Sequence, residues 1–344
     1  MGNEIRVICY GLGPIGQRIV TVALGKKGLK IVGAVDIAKE IVGKDLGEVI
    51  GIDKKLGVIV TDDPESLLDT TKADIAIVAT TSYVKAVHSQ IEKCVKGGMN
   101  VISTCEQLAY PWTREPQLAS QIDGLAKKHG VTVLSTGINP GYFLDTLPLV
   151  FTALCREVKS IEATRVIATG TRRESFQKKI GTGMPVEEFK SKLERGEITG
   201  HIGGIESVAL TAAALGLEID EIRELTPELI IAEQEVQTTC TTVKPGQLLG
   251  YTNIIQGIKD RKTVITYKIV MSAGINEGYH EYKIEGTPNI NVRLSSITGD
   301  WETAHIVVNM IPNVINAEPG LLTMKDVALP HALVDDLRVF IKRA

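Results

Sequence analysis

The stretch Ile5-Arg-Val-Ile-Cys-Tyr-Gly-Leu-Gly-Pro-Ile-Gly-Gln-Arg-Ile-Val-Thr-Val-Ala-Leu24 decides the fold of the first part of the chain. Its apolar, β-rich start runs into Gly11-x-Gly13-x-x-Gly16, and a helix-period pattern follows at once. In dinucleotide-binding folds the first glycine permits a tight turn, the second lets the backbone approach a pyrophosphate, and the third allows helix and strand to pack closely. The helix N-terminus supplies N–H groups and a positive dipole end to the phosphates. The stretch therefore predicts a dinucleotide site at this turn.

An acidic residue follows at the spacing that such a site requires. A second short strand, Lys30–Val35, ends on Asp36, which lies 20 residues after Gly16. A carboxylate at this place accepts hydrogen bonds from a ribose diol. Asp36 would repel a 2′-phosphate and so favours NAD, whereas Lys39 and Lys44 offer positive charge that suits NADP. Both NAD and NADP therefore stay open as the cofactor.

Composition and charge limit the classes of protein to which this chain can belong. The 344 residues are 44% hydrophobic, which favours a large core, and suit two domains better than one. A net charge of −3 with scattered basic residues argues against a nucleic-acid surface, and no apolar run is long enough for a membrane span. The five cysteines form no C-x-x-C pair, and the cysteines and histidines lack metal-ligand spacing. We expect a cytoplasmic protein with reduced thiols, no signal peptide and no metal.

The hydrophobic pattern changes near residue 145. Before it, strands and helices alternate, which predicts an α/β Rossmann fold with a doubly wound parallel sheet of six strands. After it, the pattern predicts an α+β domain for substrate binding and dimerisation, and hence a homodimer. A helix at Trp301–Ile315 is expected to return to the first domain. The predicted domains are 1–145 with 302–344, and 146–301.

Further elements are predicted from periodicity and breakers. Strands are predicted at Val58–Val60, Asp74–Ala79, Asn100–Ser103, Val131–Leu134, Val158–Ala168, Glu228–Thr242 and Lys262–Ala273. Helices are predicted at Val84–Val95, Glu115–Lys128, Val186–Arg195 and Ser207–Leu217.

Ligands of doubly wound sheets bind outside the carboxyl ends of the strands, so the loops after the strands are candidate sites. Small and hydroxylated residues at Ala79–Ser82 suit ribose and phosphate, although Ser82 is equally suited to cap the next helix. Asn139 is flanked by glycines, so it is placed either to contact the nicotinamide amide or in a plain interdomain turn. The residues predicted to bind the cofactor are Gly11, Leu12, Gly13, Pro14, Ile15, Gly16, Asp36, Ala79, Thr80, Thr81, Ser103, Thr104 and Asn139.

Glu106 follows the fifth predicted strand directly. A carboxylate at the tip of a central strand lies where a nicotinamide would bind and is placed for catalysis, but position alone slightly favours a solvent-facing loop glutamate. No lysine lies between Lys96 and Lys127. Alcohol oxidation that relies on a lysine in this loop is therefore disfavoured.

The second domain offers basic and polar candidates for a substrate site. An arginine aimed into a cleft would clamp a carboxylate with two parallel hydrogen bonds, whereas a basic cluster more often forms a solvated face. Glycines flank His201, which leaves its backbone open to close approach, although a structural histidine fits the same pattern. The residues predicted to bind substrate are Asn139, Tyr142, Arg165, Arg172, Gln177 and His201.

Six motifs together resemble those of the 2,4-diaminopentanoate dehydrogenases and the related native amine dehydrogenases, whose fold is similar to that of dihydrodipicolinate reductase. The resemblance covers essentially the whole chain. The motifs are Gly11-Leu-Gly-Pro-Ile-Gly16, Ser103-Thr-Cys-Glu106, Gly137-Ile-Asn-Pro-Gly-Tyr-Phe-Leu-Asp145, Arg172-Arg-Glu-Ser-Phe-Gln-Lys-Lys-Ile-Gly-Thr-Gly183, Gly200-His-Ile-Gly-Gly-Ile-Glu-Ser207 and Asn309-Met-Ile-Pro-Asn-Val-Ile-Asn316.

The resemblance implies an activity and a catalytic residue. The family oxidises the 4-amino carbon of 2,4-diaminopentanoate, a small diamino acid of ornithine fermentation, with NAD or NADP as hydride acceptor. Its catalytic acid falls on Glu106. The paired histidines of dihydrodipicolinate reductase are missing, which disfavours that activity. Two alternatives stay open: an amine dehydrogenase or imine reductase for simple ketones and amines, and a non-catalytic regulator that senses NAD(P)H.

Overall fold

The computed structural model describes residues 4–198, 201–295, 297 and 299–342. Over these residues the chain divides into two compact units, Met1–Tyr142 with Gly299–Ala344 as the first and Phe143–Thr298 as the second. Both boundaries lie three residues before those predicted from the sequence. Gly200, which opens the motif around His201, lies outside the described residues.

Strands and helices alternate in the first unit, whereas the second unit contains more strands than helices. Up to residue 135 they are β1 (Ile5–Tyr10), α1 (Pro14–Leu24), β2 (Leu29–Val35), α2 (Leu46–Val49), β3 (Val60–Thr61), α3 (Pro64–Thr70), β4 (Ile75–Val78), α4 (Val84–Lys96), β5 (Asn100–Ser103), α5 (Pro116–His129) and β6 (Thr132–Ser135). The second unit holds α6 (Thr146–Thr152), β7 (Glu157–Ala168), α7 (Glu174–Lys179), α8 (Val186–Glu194), α9 (Gly204–Ala214), β8 (Glu221–Glu224), β9 (Glu228–Ile231), β10 (Val236–Gln237), β11 (Thr242–Val243), β12 (Leu248–Lys259), β13 (Lys262–Ser272), β14 (Tyr279–Thr287) and β15 (Ile290–Ser295). The first unit then resumes with α10 (Asp300–Asn309), α11 (Ile311–Ile315) and β16 (Gly320–Leu322). The described residues also form short 3₁₀ turns at Glu106–Ala109, Pro111–Thr113 and Leu337–Phe340.

The sheet of the first unit is parallel throughout its described strands. Their order is β16-β6-β5-β4-β1-β2-β3, which confirms the predicted Rossmann arrangement. The six predicted strands are joined by a seventh, β16, which pairs with β6 and which the sequence did not reveal. Three residues are too few to show a strand period.

Helix α4 shows how sequence pattern fixes the packing on this sheet. Its buried positions Val84, Val87, Ile91 and Cys94 recur at helical spacing and belong to the core that contains the strands. The helix ends at Gly97, and the next residue, Gly98, takes a φ of +73°. A left-handed residue after a helix is most easily supplied by glycine. The two glycines therefore return the chain to β5.

The second unit is built on a mixed sheet. Its described strands run in the order β15-β14-β7-β13-β12-β8, with β9 also paired to β12. The pair β7–β13 is parallel, and the other pairs are antiparallel. Helix α9 packs on β12, β13 and β8. This mixed sheet and its helices confirm the predicted α+β class of the second unit.

The largest differences between the predicted elements and the structure are these. The helix expected at Trp301–Ile315 is two helices, α10 and α11, because Pro312 in the first turn of α11 cannot donate the N–H that would continue α10. The strand expected at Glu228–Thr242 is interrupted after Ile231 and resumes as the short pair β10–β11. Helix α9 begins at Gly204 and not at Ser207, since Gly203 takes a φ of +97° and turns the chain into it.

The returning segment completes the first unit. Helix α10 packs against α1, and Arg18 Nη2 lies 3.5 Å from Asp300 Oδ2 across this contact. Among the described residues, no helix is both long and apolar enough to pass through a bilayer.

Candidate functional site

The turn between β1 and α1 gives each of its three glycines a different role. Gly11 has a φ of +96°, and a Cβ there would lie 2.5 Å from the Ala79 carbonyl oxygen. A Cβ on Gly16 would lie 1.9 Å from the Gly11 carbonyl oxygen, so this position accepts only glycine. A Cβ on Gly13 would meet nothing within 4 Å. The first and last glycines therefore permit close packing, and Gly13 leaves open space above the turn.

The N-terminus of α1 opens onto that space. Gly13 is its N-cap without a side-chain cap, and Pro14 stands in the first turn. The first N–H groups of a helix have no partner within it, so those of Ile15 and Gly16 are available to an anion. The open space above Gly13 and these donors fit the diphosphate of a dinucleotide.

Asp36 has a structural role that the sequence did not indicate, because its carboxylate accepts hydrogen bonds from the backbone. Its Oδ2 accepts a hydrogen bond from Leu12 N at 2.5 Å, and its Oδ1 accepts one from Ala38 N at 2.9 Å. The carboxylate at the tip of β2 thus also holds the glycine turn, and its remaining lone pairs are suited to a ribose diol. Lys39 is exposed, and Lys44 Nζ lies 3.3 Å from Glu48 Oε1.

The loop after β4 is held by its neighbours. Thr80 is exposed and donates to Gln90 Oε1 at 2.5 Å, and Thr81 Oγ1 accepts from Tyr83 N at 3.4 Å. The expectation that Ser82 caps α4 is wrong, because the N-cap is Tyr83, without a side-chain cap. The carboxamide of Gln107 replaces it, since its Oε1 accepts from Val84 N at 3.2 Å.

Two buried serines fix the chain immediately before Glu106. Ser103 Oγ accepts from Cys105 N at 3.1 Å, and Ser135 Oγ donates to the Cys105 carbonyl at 2.7 Å. On the other side, Gln107 N donates to the Ser82 carbonyl at 3.1 Å. Glu106 therefore starts its 3₁₀ turn, half-buried, from a backbone held on both sides. It lies at the carboxyl end of β5, in the loop where doubly wound sheets bind ligands.

Four other predicted cofactor residues lie at the same edge of the sheet. Ser103 is fully buried, and its hydroxyl donates to the Val78 carbonyl at 3.1 Å. This hydrogen bond joins β5 to β4 within the sheet. Thr104 is half-buried, and its N–H donates to the same carbonyl at 3.1 Å. Ala79 and Asn139 are half-buried in the loops after β4 and β6. The structure thus brings the loops after β1, β4, β5 and β6 to one edge.

In the second unit a buried arginine forms part of an aromatic cluster. Arg165 on β7 is 5% exposed and is paired across the strands with His280 of β14. The Phe143 ring stacks on the His280 ring, with centroids 3.8 Å apart and planes 17° from parallel. The Arg165 guanidinium lies 5.9 Å from the Phe143 centroid. His280 was missed from the sequence, since an isolated histidine in a strand carries no motif.

Both histidines of this unit's polar interior are kept neutral at pH 7. Burial, and then the positive charges of Arg165 and Lys179, lower the pKa of His201 to about 3. Burial and then Arg165 lower the pKa of His280 to about 4. A nearby cation disfavours a second positive charge, and burial disfavours any charge. Arg165 therefore remains the cation of this cluster.

The other predicted substrate residues have different surroundings. Gln177 is buried, and its Nε2 donates to the carbonyls of Arg172 at 2.8 Å and Gly170 at 3.2 Å, so it holds the loop after β7. Arg172 is half-buried and lies along a cavity of about 580 Å³ that Tyr279 and Arg293 also line. Tyr142 is half-buried at the end of the first unit. Arg172 and Arg165 are thus separate candidates for an anion.

Buried polar atoms without a hydrogen-bond partner among the described residues concentrate in the second unit. More than nine in ten buried polar groups of native proteins are paired, so such atoms require an explanation. A bound ligand that completes their hydrogen bonds is one explanation. Those in this unit include Thr169 Oγ1, Gln177 Oε1, Thr182 Oγ1, His201 Nδ1 and His280 Nδ1.

Comparison with protein families covers nearly the whole chain. The family described as 2,4-diaminopentanoate dehydrogenase C-terminal domain matches residues 142–343. The family described as dihydrodipicolinate reductase, N-terminus, matches residues 5–106. The first match contains the second unit and the returning segment of the first unit, and the second match lies within the first unit. Both agree with the resemblance found in the sequence motifs.

Individual relatives agree with these matches. The chain is 33% identical to a 2,4-diaminopentanoate dehydrogenase of Acetoanaerobium sticklandii, over 98% of this chain and 97% of the relative. It is 26% identical to an amine dehydrogenase of Streptomyces virginiae, over 96% of this chain and 98% of the relative. The solved structure of an amine dehydrogenase from Mycobacterium smegmatis superposes with a TM-score of 0.83 at 26% identity, covering 97% of this chain and 98% of the other.

The different roles of Gly13 and Gly16 give a matched pair of variants. Gly16→Ala is expected to destabilise the fold by about 1–3 kcal/mol, because its Cβ would overlap the Gly11 carbonyl. Gly13→Ala is expected to cost under about 1 kcal/mol, as the change of an N-cap residue. Its Cβ would still occupy the phosphate space, so we expect dinucleotide affinity to fall by at least about tenfold. Denaturant unfolding and cofactor titration separate the two effects, and wild-type affinity in Gly13→Ala would contradict the assignment.

Proposed function

The chain belongs to the 2,4-diaminopentanoate dehydrogenase family, and from this premise we propose that it oxidatively deaminates 2,4-diaminopentanoate at C4. The products are 2-amino-4-oxopentanoate and ammonia, and the reaction is reversible as reductive amination. The observation that supports an amino-acid substrate is Arg165, a guanidinium that is 5% exposed within an aromatic cluster. A fixed buried cation suits a carboxylate and gives no advantage to a simple amine.

Glu106 is proposed as the catalytic residue. A nicotinamide held at the glycine turn would supply the hydride acceptor for the amine carbon. Loss of hydride leaves an iminium cation, which a nearby ionised carboxylate stabilises. The same carboxylate is suited to take a proton from the substrate ammonium or from the water that attacks the iminium. The backbone on either side of Glu106 is hydrogen-bonded, so the side chain projects from a fixed point of the backbone.

Arg165 is proposed to bind the carboxylate of the substrate. A guanidinium carries five N–H donors, so it can hold a carboxylate by two of them and keep its other contacts. Tyr142, Arg172 and His201 are proposed to contribute to the same recognition. Arg172 is the alternative clamp, since it also lies beside a cavity.

Oxidation of simple amines is the second candidate. Two of the relatives found are amine dehydrogenases, at 26% identity each. The difference between the candidates lies in the carboxylate, which a simple amine lacks. A substrate panel with and without a carboxylate therefore distinguishes them.

Glu106→Gln tests the catalytic assignment. It keeps the shape of the side chain but removes the negative charge and the base, so we expect kcat to fall by roughly 10²–10⁴. Cofactor affinity should change little, because the glycine turn and Asp36 belong to other loops. NAD(P)H formation and cofactor binding by fluorescence measure the two quantities, with exposed Glu65→Gln as control. Wild-type turnover in Glu106→Gln would exclude the mechanism.

Arg165→Ala tests the substrate class. The wild-type protein should form NAD(P)H with 2,4-diaminopentanoate in preference to ornithine and 2-aminopentane. In Arg165→Ala the diamino acid should lose about 2–5 kcal/mol of transition-state stabilisation, while 2-aminopentane is spared. Arg173→Ala, at an exposed arginine of the same unit, is the matched control. Equal losses on both substrates would instead assign Arg165 a structural role.

We propose that the cofactor preference favours NAD because of Asp36. Asp36→Ser should raise kcat/KM with NADP relative to NAD by at least about tenfold, since a carboxylate facing a 2′-phosphate is a like-charge clash. Affinity for NAD should fall at the same time, because Leu12 N loses its acceptor. Steady-state kinetics with both cofactors measure the ratio. An unchanged ratio would show that Asp36 does not set the preference.

A further inference from the structure

The second unit contains a cavity whose lining includes neither Arg165 nor His280. Its volume is about 580 Å³, and it lies at the end of β7, the start of β14 and the end of β15. Arg172, Tyr279 and Arg293 supply part of its lining. Sites for small molecules usually have volumes of about 300–1,000 Å³, so this cavity is large enough for a small organic ligand.

The strand register separates the polar lining of this cavity from Arg165 and His280. Those two residues are paired across β7 and β14, so their side chains lie on one face of the sheet. Val166 and Tyr279 are paired at the next position, so they lie on the opposite face, because successive side chains of a strand alternate. Arg293 lies on this opposite face too, since its partner on β14 is two residues from Tyr279.

Two guanidinium groups of the cavity are each stacked on an aromatic ring. The guanidinium carbon of Arg293 lies 3.9 Å from the centroid of the Tyr279 ring. That of Arg172 lies 5.3 Å from the centroid of the Phe176 ring. Stacking uses the face of a guanidinium, whereas its N–H donors lie in the plane and suit the paired oxygens of a carboxylate or phosphate. Each ring therefore orients a cation without competing for these donors.

The charge of Arg293 is not compensated by the carboxylate directly across from it. Glu281 is the cross-strand partner of Arg293, but its Oε2 lies 3.3 Å from Lys283 Nζ. Within the part of the chain that the structure describes, Arg293 forms no ion pair. The lining contains two arginines against one glutamate, the exposed Glu277, so its net charge is positive. An anionic ligand is therefore favoured in this cavity.

We propose that this cavity binds a small organic oxyanion, a phosphate monoester or a dicarboxylate, through the guanidinium groups of Arg293 and Arg172. Tyr279 holds Arg293 in the orientation that binding requires. Thr171 and Asn276 also line the cavity and add neutral hydrogen-bond donors. The ligand of this site is bound and not transformed, so the proposal goes beyond the proposed reaction. Arg172 is common to both proposals, and the test therefore uses Arg293.

Binding is measured on the full chain with saturating NAD(P)H, so that the glycine turn is occupied. The probes are inorganic phosphate and succinate, compared by calorimetry with sodium chloride at the same ionic strength. Arg293→Gln should weaken binding of the better probe at least about tenfold, the usual scale for a lost hydrogen bond between charged groups. Arg223→Gln removes the same charge from β8, at the opposite edge of the sheet, and should bind as the wild-type protein does.

Two variants of Tyr279 test the stacked arrangement. Tyr279→Phe keeps the ring and should retain wild-type affinity, whereas Tyr279→Leu should weaken binding about two- to fivefold. Thermal unfolding without either probe checks that each variant is folded. The probe that binds more tightly identifies the anionic group of the ligand.

The proposal is overturned if neither probe binds the wild-type protein more tightly than chloride does. It is also overturned if Arg293→Gln binds the better probe as tightly as the wild-type protein. Equal affinity in Tyr279→Phe and Tyr279→Leu would contradict the role of the ring. Because these measurements need no turnover, failure of the proposed reaction leaves their outcome unaffected.

Discussion

The close approach of Gly16 to the carbonyl oxygen of Gly11 is the constraint on which the first unit depends. It leaves no room for a side chain, and it lets α1 begin directly above the end of β1. The helix can then present free N–H groups toward the open space at Gly13. Asp36 also holds this turn, because its carboxylate accepts a hydrogen bond from Leu12 N. Cofactor binding and the geometry of the turn are therefore set by the same few atoms.

The second unit depends on the cost of burying charge. Arg165 is held within an aromatic cluster, and its positive charge helps to keep two neighbouring histidines neutral. Burial and a nearby cation both disfavour a second positive charge in this place. Family membership identifies the enzyme as an amine-acting dehydrogenase.

Much of the architecture followed from local pattern, and the rest depended on contacts that sequence does not show. Gly11, Gly13 and Gly16 indicated the turn because their spacing is a local signature, in which Gly11 and Gly16 meet steric requirements and Gly13 leaves open space. β16 was not predicted, because three residues are too few to show the alternation of a strand. It is recognised as a strand by its pairing with β6. His280 became a candidate only once β14 paired with β7 and placed it beside Arg165. Ser103 was expected at the cofactor, but the side chain is buried and its hydroxyl donates a hydrogen bond to the Val78 carbonyl.

The position of the reacting carbon tests the account most directly. Oxidation at C4 requires the hydrogen transferred to the nicotinamide to come from that carbon. Incubation with 2,4-diaminopentanoate deuterated at C4, followed by NMR of the reduced cofactor, should show one deuterium per nicotinamide ring and one equivalent of ammonia. Substrate deuterated only at C2 should give none. Deuterium from C2, or reduced cofactor without ammonia, would contradict the account.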